Sequence, residues 1–513
     1  MNFPTIEGCY EAKKRLNNVS INTPFQFLDR ISKNFNAEIY TKREDLQLVR
    51  SFKIRGAFNK IVALSKYELK NGIVCASGGN HAQGFAFACN HLKIMGTIFM
   101  PLPTPKQKID RVKMFGAEYV KIILKGDTFD DSQKQAEKFQ KKSDSVFIHP
   151  FDDPEVIAGQ GTIGMEILRQ CSQPPAAIYL AVGGGGLIAG VGAYVKALWP
   201  DVKIIGVEPV DADAMTRSLA AGKRQRLEQV GLFADGVAVR EVGEETFRVA
   251  QQVVDRMVTV DSDAICAAIR DVFEDTRSIL EPAGALAVAG LKADAANWNS
   301  GSCLVAVACG ANMNFERLRF VAERAELGEQ REAMLAVEIP EQPGSLRQFC
   351  RLLGSHSLTE FSYRQARGHR AQIFVGVEIS NRQDAMALVN SLEQGGFPCV
   401  DLSSNELAKL HLRHMVGGRL PEASQGQETI PERLYRFEFP ERPGALMAFV
   451  EALHPGWTIS IFHYRNQGSD VGRIVVGVQV PADELETWQR VLAELPFQSW
   501  EETNNPAYQL FLA

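Results

Sequence analysis

Residues 176–195 read AAIYLAVGGGGLIAGVGAYV, and how this stretch is read decides the fold. It carries no charge and is about long enough to cross a bilayer as a helix. Gly183, Gly184, Gly185 and Gly186 sit in its middle, however, and four consecutive glycines make a poor helix. The better reading is a buried strand (AIYLAV, 177–182), a glycine turn, and a helix that begins where the glycines end. Outward from it, GIVCAS (72–77), TIFMP (97–101), YVKIIL (119–124), KIIGVE (203–208) and CLVAVAC (303–309) share the same short apolar character. Helical patterns lie between most of them. Such alternation predicts an α/β fold with a mostly parallel sheet covered on both faces. In such sheets ligands bind beyond the carboxyl ends of strands, where glycine-rich turns lead into helices.

The chain has 513 residues, which at roughly 150 per domain implies three or four folding units. Hydrophobic residues are 45% and charged residues 23%, an ordinary globular balance. Net charge is −5 from 56 basic and 61 acidic residues, with no long basic run, which argues against a nucleic-acid partner. The 9 cysteines form no C-x-x-C pair, so a zinc ribbon or disulfide framework is not expected. The N-terminal MNFPTIEGCYEAKKRL has no apolar core of signal-peptide length. A soluble, cytoplasmic protein without a membrane partner is the expectation. Glycine is in modest excess, 42 of 513 against the usual 7% or so.

The texture changes after the charged segment AERAELGEQREA (322–333). VEIPEQPGSLRQFCRLL (337–353) matches FEFPERPGALMAFVEAL (437–453) at an offset of 100 residues. Pro340, Glu341, Pro343, Gly344, Leu346, Phe349 and Leu353 recur as Pro440, Glu441, Pro443, Gly444, Leu446, Phe449 and Leu453. At an offset of 101, FSYR (361–364) matches FHYR (462–465) and IFVGV (373–377) matches IVVGV (474–478). Each copy reads strand, Pro-Gly turn, helix, strand, turn, strand, then helix. The stretch 403–432 between them is a connector, its later half rich in polar and turn residues.

Four segments in the first part carry chemistry. In SFKIRGAF (51–58), apolar Phe52 and Ile54 flank Lys53, so the amine can lie partly buried. Burial disfavours its charged form and leaves a nucleophile for a carbonyl, although a solvated lysine at a helix start reads the same way. Ser77-Gly78-Gly79-Asn80-His81 joins a strand to a helical stretch, where exposed amides suit a carboxylate. Asn80 offers both a donor and an acceptor there. The turn 183–186 lets successive amides approach a phosphate. It also fits a permissive dinucleotide fingerprint through Gly184, Gly186 and Ala189, with Glu208 ending the next strand as a ribose-binding acid would. From that segment alone both readings stand. CLVAVACGANMN (303–314) ends a strand at Cys309, a buried inert thiol or a partner for a ring nitrogen.

The ordered set Ser-Phe-Lys-x-Arg-Gly-Ala (51–57), Ser-x-Gly-Asn-His-Ala-Gln-Gly (77–84), the glycine loop and Cys-Gly-Ala-Asn (309–312) resembles the fold-type II pyridoxal-phosphate enzymes, and most closely the threonine ammonia-lyases, or threonine deaminases. The likeness runs along nearly the whole chain. It implies a two-lobed catalytic domain of the tryptophan synthase β-like kind over 1–322, followed by a linker helix over 323–332. Two α+β ACT-like regulatory modules would occupy 333–404 and 433–505, with a connector over 405–432 and a C-terminal tail over 506–513. Pyridoxal 5'-phosphate is the implied cofactor and L-threonine the substrate, with L-serine second. Isoleucine and valine are the implied effectors, and a homotetramer the implied assembly.

Carried over residue by residue, Lys53 would bear the cofactor and shuttle the Cα proton. Asn80 would meet the pyridine 3-oxygen, Gly183, Gly184, Gly185, Gly186 and Leu187 the phosphate, and Cys309 the ring nitrogen. Ser77, Gly78, Gly79, Asn80 and His81 would hold the substrate carboxylate. Cys309 departs from the serine of most biosynthetic relatives and matches liver-type serine dehydratases. Gly78 stands where serine racemases carry a second serine, so weak racemisation is expected. Ala214, six positions after Glu208, is no acid, so no metal is expected at the place where racemases bind one. Phe361, Tyr363, Phe462 and Tyr464 occupy equivalent places in the two copies and are the candidate effector residues.

Overall fold

The computed structural model describes residues 4–511 apart from 330, 341–344, 355, 357, 364–369, 413–429, 441–456, 466–470 and 496. The chain forms two compact units, Met1–Ala325 and Glu326–Ala513. Among the described residues no helix is long and apolar enough to cross a membrane. The stretch that opened the sequence reading is strand Ala177–Ala181 followed by helix Gly186–Leu198.

The first unit holds two sheets. One has six strands in the order Phe25–Phe27, Glu38–Lys42, Cys303–Val307, Ala177–Ala181, Lys203–Pro209 and Arg256–Val260, parallel except for the first pair. The other is wholly parallel, in the order Val120–Leu124, Gly96–Met100, Ile73–Ala76 and Val146–Phe147. Every residue of Ile73–Ala76 and of Ala177–Ala181 is buried, which is why these central strands read as unbroken apolar runs. The smaller sheet is packed through Val49, Ile54, Phe58, Cys75, Phe85, Ile98 and Met100, so the helix that begins at Lys53 belongs to its core.

Four strands gave no usable signal in the sequence. Phe25–Phe27 and Val146–Phe147 are too short. Arg256–Val260 is mostly half-exposed. Glu38–Lys42 is hidden by its own chemistry, because it buries Thr41 and Lys42. Lys42 Nζ donates to Glu166 (2.8 Å), to the Thr23 carbonyl (2.7 Å) and to Gln170 (2.9 Å). A hydropathy pattern cannot register a lysine that is inside because its partners are.

In the second unit the duplication appears as two antiparallel sheets of identical topology. The first runs Leu358–Tyr363, Arg370–Glu378, Glu332–Pro340, Cys399–Asp401, and the second Thr458–Arg465, Val471–Gln479, Glu432–Pro440, Gln498–Glu501. Both carry a register shift at the same place, Leu358/Glu360 and Ile459/Ile461. The region read as connector opens with helix Glu406–Leu410, and the region read as tail forms the equivalent helix Pro506–Phe511. These short helices join the copies. Met334, Ala336, Phe374, Leu402 and Leu407 of the first share one core with Leu434, Val475, Ala507 and Tyr508 of the second. Asn405 Nδ2 donates to Oδ1 of Asn505, its equivalent in the other copy, at 3.0 Å. The recurring Pro343, Gly344, Pro443 and Gly444 lie outside the described residues.

Candidate active site

The two sheets present their carboxyl-terminal turns to a shared region through contacts that begin at Lys53. This residue opens helix Lys53–Ala63. The preceding Phe52 amide donates to the Cys309 carbonyl at 3.2 Å, and Ser51 bridges Gly310. Two segments some 250 residues apart in sequence are thereby locked together. Gly84 lets the helix Asn80–Leu92 approach closely, since a Cβ there would lie 3.1 Å from the Lys53 carbonyl oxygen. Two residues beyond the lysine, fully buried Arg55 holds Glu44 at 2.8 Å and Glu166 at 2.8 and 2.9 Å. That network anchors the helix from beneath.

Lys53 Nζ donates to the Pro150 carbonyl at 2.9 Å and makes no ion pair among the described residues. Burial pulls its pKa down from 10.5 to about 8, against the opposing influence of Cys309 and Glu281. A lysine buried beside a carbonyl rather than a carboxylate is poised to deliver a neutral amine.

The segment that organises the site, His149–Asp152, lies in none of the four sequence motifs. Beyond the Pro150 carbonyl that receives Lys53, Phe151 lies over the glycine turn, where a Cβ on Gly184 would enter its ring. Asp152 accepts from the amides of Glu244 and Glu245 at 2.9 Å and Thr246 at 3.2 Å, capping helix Glu244–Val253. Thr246 Oγ1 in turn donates to the Gly184 carbonyl at 2.6 Å. The lysine and the glycine turn are therefore tied by a chain of direct contacts. The one cue in the sequence is a His-Pro followed by two aspartates after a short apolar pair, and its meaning depends on partners about 30 and 90 residues downstream.

Gly185 takes φ +95°, which only glycine adopts cheaply, and it precedes helix Gly186–Leu198 with no side-chain cap. The first amides of that helix are left for an anion, and Leu187 is buried in the first turn. Helix Asn80–Leu92 likewise starts without a side-chain cap, and Ser77 Oγ accepts from the Gly79 amide at 3.2 Å to hold the turn. The His81 side chain points elsewhere: its Nε2 lies 3.1 Å from the Ile148 carbonyl. Burial first and then Lys53 push its pKa down to about 3, so it is neutral. Its Nδ1 is buried and has no partner among the described residues. Only the backbone of His81 belongs to the turn.

Cys309 Sγ donates to the Ala283 carbonyl at 3.2 Å, and burial together with Glu281 raises its pKa far above the ordinary thiol range. It is a neutral thiol. Asn80 donates to Glu281, which no quoted motif contains, and accepts at 2.6 Å from Nδ2 of Asn312, the last residue of the Cys-Gly-Ala-Asn motif. Glu208, the acid that a nicotinamide ribose would need, is committed elsewhere. It accepts from the Met215 and Thr216 amides at 2.8 Å and from Thr216 Oγ1 at 2.6 Å, so it caps helix Ala214–Ala221. Among the described residues no group of three or more His, Cys, Asp or Glu is placed to hold a metal. The candidate effector residues fall at matching registers, Phe361 opposite Val375 and Tyr363 opposite Ile373, Phe462 opposite Val476 and Tyr464 opposite Ile474. Their side chains lie outside the described residues.

The arrangement has the parts an aldehyde-bearing phosphate ester requires: a neutralisable buried amine, a helix start stripped of side chains, and a neutral thiol at a strand end. Comparison with known proteins agrees with that fit. Residues 17–310 match the family described as pyridoxal-phosphate dependent enzyme, and residues 323–412 and 425–512 match the C-terminal regulatory domain of threonine dehydratase. The chain is 51% identical over 500 residues to the biosynthetic L-threonine dehydratase of Burkholderia multivorans, covering 97% of each. It is 46% identical to the corresponding Escherichia coli protein, over 96% of this chain and 94% of that one. Among solved structures, threonine deaminase isoform 2 of Solanum lycopersicum in its processed form superposes with a TM-score of 0.60 at 45% identity, over 63% of this chain and 88% of that one. Maize serine racemase gives 0.59 at 30% identity, over 63% and 97%.

Proposed function

The chain belongs to the pyridoxal-phosphate-dependent threonine dehydratases that carry a C-terminal regulatory region, and from that premise we propose the following division of labour among its own residues. The net reaction converts L-threonine to 2-oxobutanoate and ammonia. Lys53 would hold the cofactor's aldehyde carbon, Asn80 its 3-oxygen, the amides of 183–187 its phosphate, and Cys309 its ring nitrogen. Bound there, the cofactor withdraws electron density from the amino acid's Cα. Once the substrate's amino group has replaced it, the freed Lys53 amine would take the Cα proton. The β-hydroxyl would take a proton from an acid near the phosphate and leave as water, and the released enamine takes up water to give the oxoacid and ammonia. The turn 77–81 holds the substrate carboxylate through its open amides. Cys309 is neutral and offers no charge to keep a proton on the ring nitrogen, which suits an elimination whose electrons depart promptly with the hydroxyl. Gly78 brings no acid to the far face of Cα, so racemisation is weak. The observation that carries this reading is the contact chain from Lys53 through Pro150 and Phe151 to the 183–187 turn.

The lysine's environment gives a pH prediction. The ammonium pKa is lowered, so the neutral amine predominates above about 8 and is lost below it. The rate at which cofactor-free protein captures added pyridoxal phosphate should rise with pH through that value and level off above it. A rise centred near the ordinary lysine value of 10.5 would mean that Lys53 is solvated when the cofactor arrives.

For the second unit the proposal is feedback control: isoleucine inhibits, valine opposes it, and the site involves Phe361, Tyr363, Phe462 and Tyr464. Support comes from the regulatory-domain match and from the equal strand registers of the four aromatics. L-serine is the secondary substrate and the assembly a homotetramer. Oxoacid release from threonine and from serine, with and without isoleucine, tests the scheme. A chain ending at residue 325, the border of the first compact unit, should keep turnover and lose the isoleucine response. Retained sensitivity would move the effector site into the first unit.

A further inference from the structure

Glu281 is a carboxylate in an unexpected place. It stands at the N-cap of helix Pro282–Asp294, where a side chain ordinarily accepts from the helix's own amides, yet it makes no such cap. It is buried, and it reaches away from the helix to accept from Asn80 Nδ2. Burial, reinforced by Asp235, raises its pKa to about 7 against the pull of Asn80, Lys108 and Arg317. Lys53 and Cys309 also feel its charge. Keeping a carboxyl here is costly, and its visible return is one hydrogen bond to Asn80.

The other end of Asn80 is equally constrained. Asn312 Nδ2 donates to Asn80 Oδ1 at 2.6 Å and to the Val49 carbonyl at 2.9 Å. A backbone carbonyl can only accept, so it dictates which end of the Asn312 amide faces it. That choice makes Asn312 the donor to Asn80, which must then answer with its oxygen. The Asn80 nitrogen is left turned toward Glu281, with one hydrogen still unassigned. The surroundings keep this arrangement clear of side chains: a Cβ on Gly310 would run into Glu281 Oε1 and come within 3.3 Å of Asn80 Nδ2.

We propose that Glu281 and Asn312 are positioning residues that fix the polarity of Asn80, so that the only group it can present to the cofactor's 3-oxygen is an N–H donor. This rests on the assignment of Asn80 to that oxygen. A donor at that position matches the 3-oxygen in its deprotonated, accepting form. A flipped amide would present a carbonyl and require the protonated phenol.

The test is reconstitution of cofactor-free full-length protein with pyridoxal phosphate, followed by fluorescence titration and by the position of the visible absorbance band. Asn80→Ala, Glu281→Ala and the isosteric Asn312→Asp should each weaken cofactor binding about tenfold or more, the usual consequence of losing one buried hydrogen bond, and should move the band. Glu281→Gln keeps an acceptor without the charge, and should stay near the wild-type affinity and band. An unchanged Asn80→Ala would overturn the placement of Asn80 itself. An altered Asn80→Ala beside unchanged Glu281→Ala and Asn312→Asp would leave that placement standing and overturn the positioning role. A Glu281→Gln variant as impaired as Glu281→Ala would also overturn it, because charge rather than acceptance would then be the requirement.

Discussion

Replacing Lys53 with alanine should lower threonine turnover by about 10⁴-fold or more, since the same amine is asked to hold the cofactor and to move the Cα proton. Stability should scarcely fall. The side chain makes one hydrogen bond, to the Pro150 carbonyl, and has no ionic partner among the described residues. Its ammonium is held in a site that disfavours it, so removing it relieves a desolvation cost of the same order as the bond it gives up. The contrast between lost chemistry and kept fold is the signature of a functional rather than a structural lysine. Two measurements accompany the rate: thermal unfolding, and borohydride fixation of radiolabelled pyridoxal phosphate to the chain. Persistent fixation in the variant would show that another amine carries the cofactor, and the site would have to be redrawn.

Arg55→Met should have the opposite profile, with a large loss of stability in the first unit. Arg55 neutralises Glu44 and Glu166, and all three side chains are essentially inaccessible to water. Methionine fills much of the space and leaves two carboxylates with only Lys42, Lys13 and neutral donors around them. Breaking a buried ion pair from one side costs about 3–5 kcal/mol, and this guanidinium serves two. Urea unfolding of the first unit should show the loss directly. A change below about 1 kcal/mol would mean that the network is solvated or able to rearrange. The same network sets an acid limit. Burial alone would raise the Glu166 carboxyl, but Arg55 and Lys42 pull it from 4.5 down to about 2. A depressed carboxyl contributes stability that is present above its unfolded value and lost as pH falls toward its folded one. Wild-type stability should therefore erode as pH drops from about 4.5 to 2, and Arg55→Met should begin to unfold at a higher pH.

Parts of this site could be read from the chain because their signals are local. A strand buried on both faces has to be apolar throughout, as Ile73–Ala76 and Ala177–Ala181 are. A turn packed as closely as 183–186 has to dispense with side chains, since a Cβ on Gly184 would enter the Phe151 ring. A duplication announces itself because two copies of one module need the same residues at the same places. Glu281 and His149–Asp152 gave no comparable signal. Each has an ordinary local sequence, and each works through partners far away: Asn80 lies 201 positions before Glu281, and the helix that Asp152 caps starts 92 positions after it.

Glu208 shows the converse. Its position at a strand end after a glycine turn made it a reasonable ribose-binding acid, and local pattern could not separate that role from a helix cap. The three donors from Met215 and Thr216 decide the matter. His81 is similar, a neighbour of the Ser77–Asn80 turn in sequence whose ring faces the Ile148 carbonyl instead.

The amino-acid sequence alone determined the fold class and the duplicated second unit, because backbone geometry and burial restrict residue type along buried strands and in repeated modules, while Lys53 and the two glycine turns stood out only as a set through their family resemblance. Only the tertiary structure decided which groups turn toward the lysine, which acids are consumed by helix starts, and which way Asn80 points. Those outcomes depend on hydrogen-bond partners brought together from separate strands and helices. A side chain's local sequence specifies what it can donate or accept, and the fold selects which partner it meets.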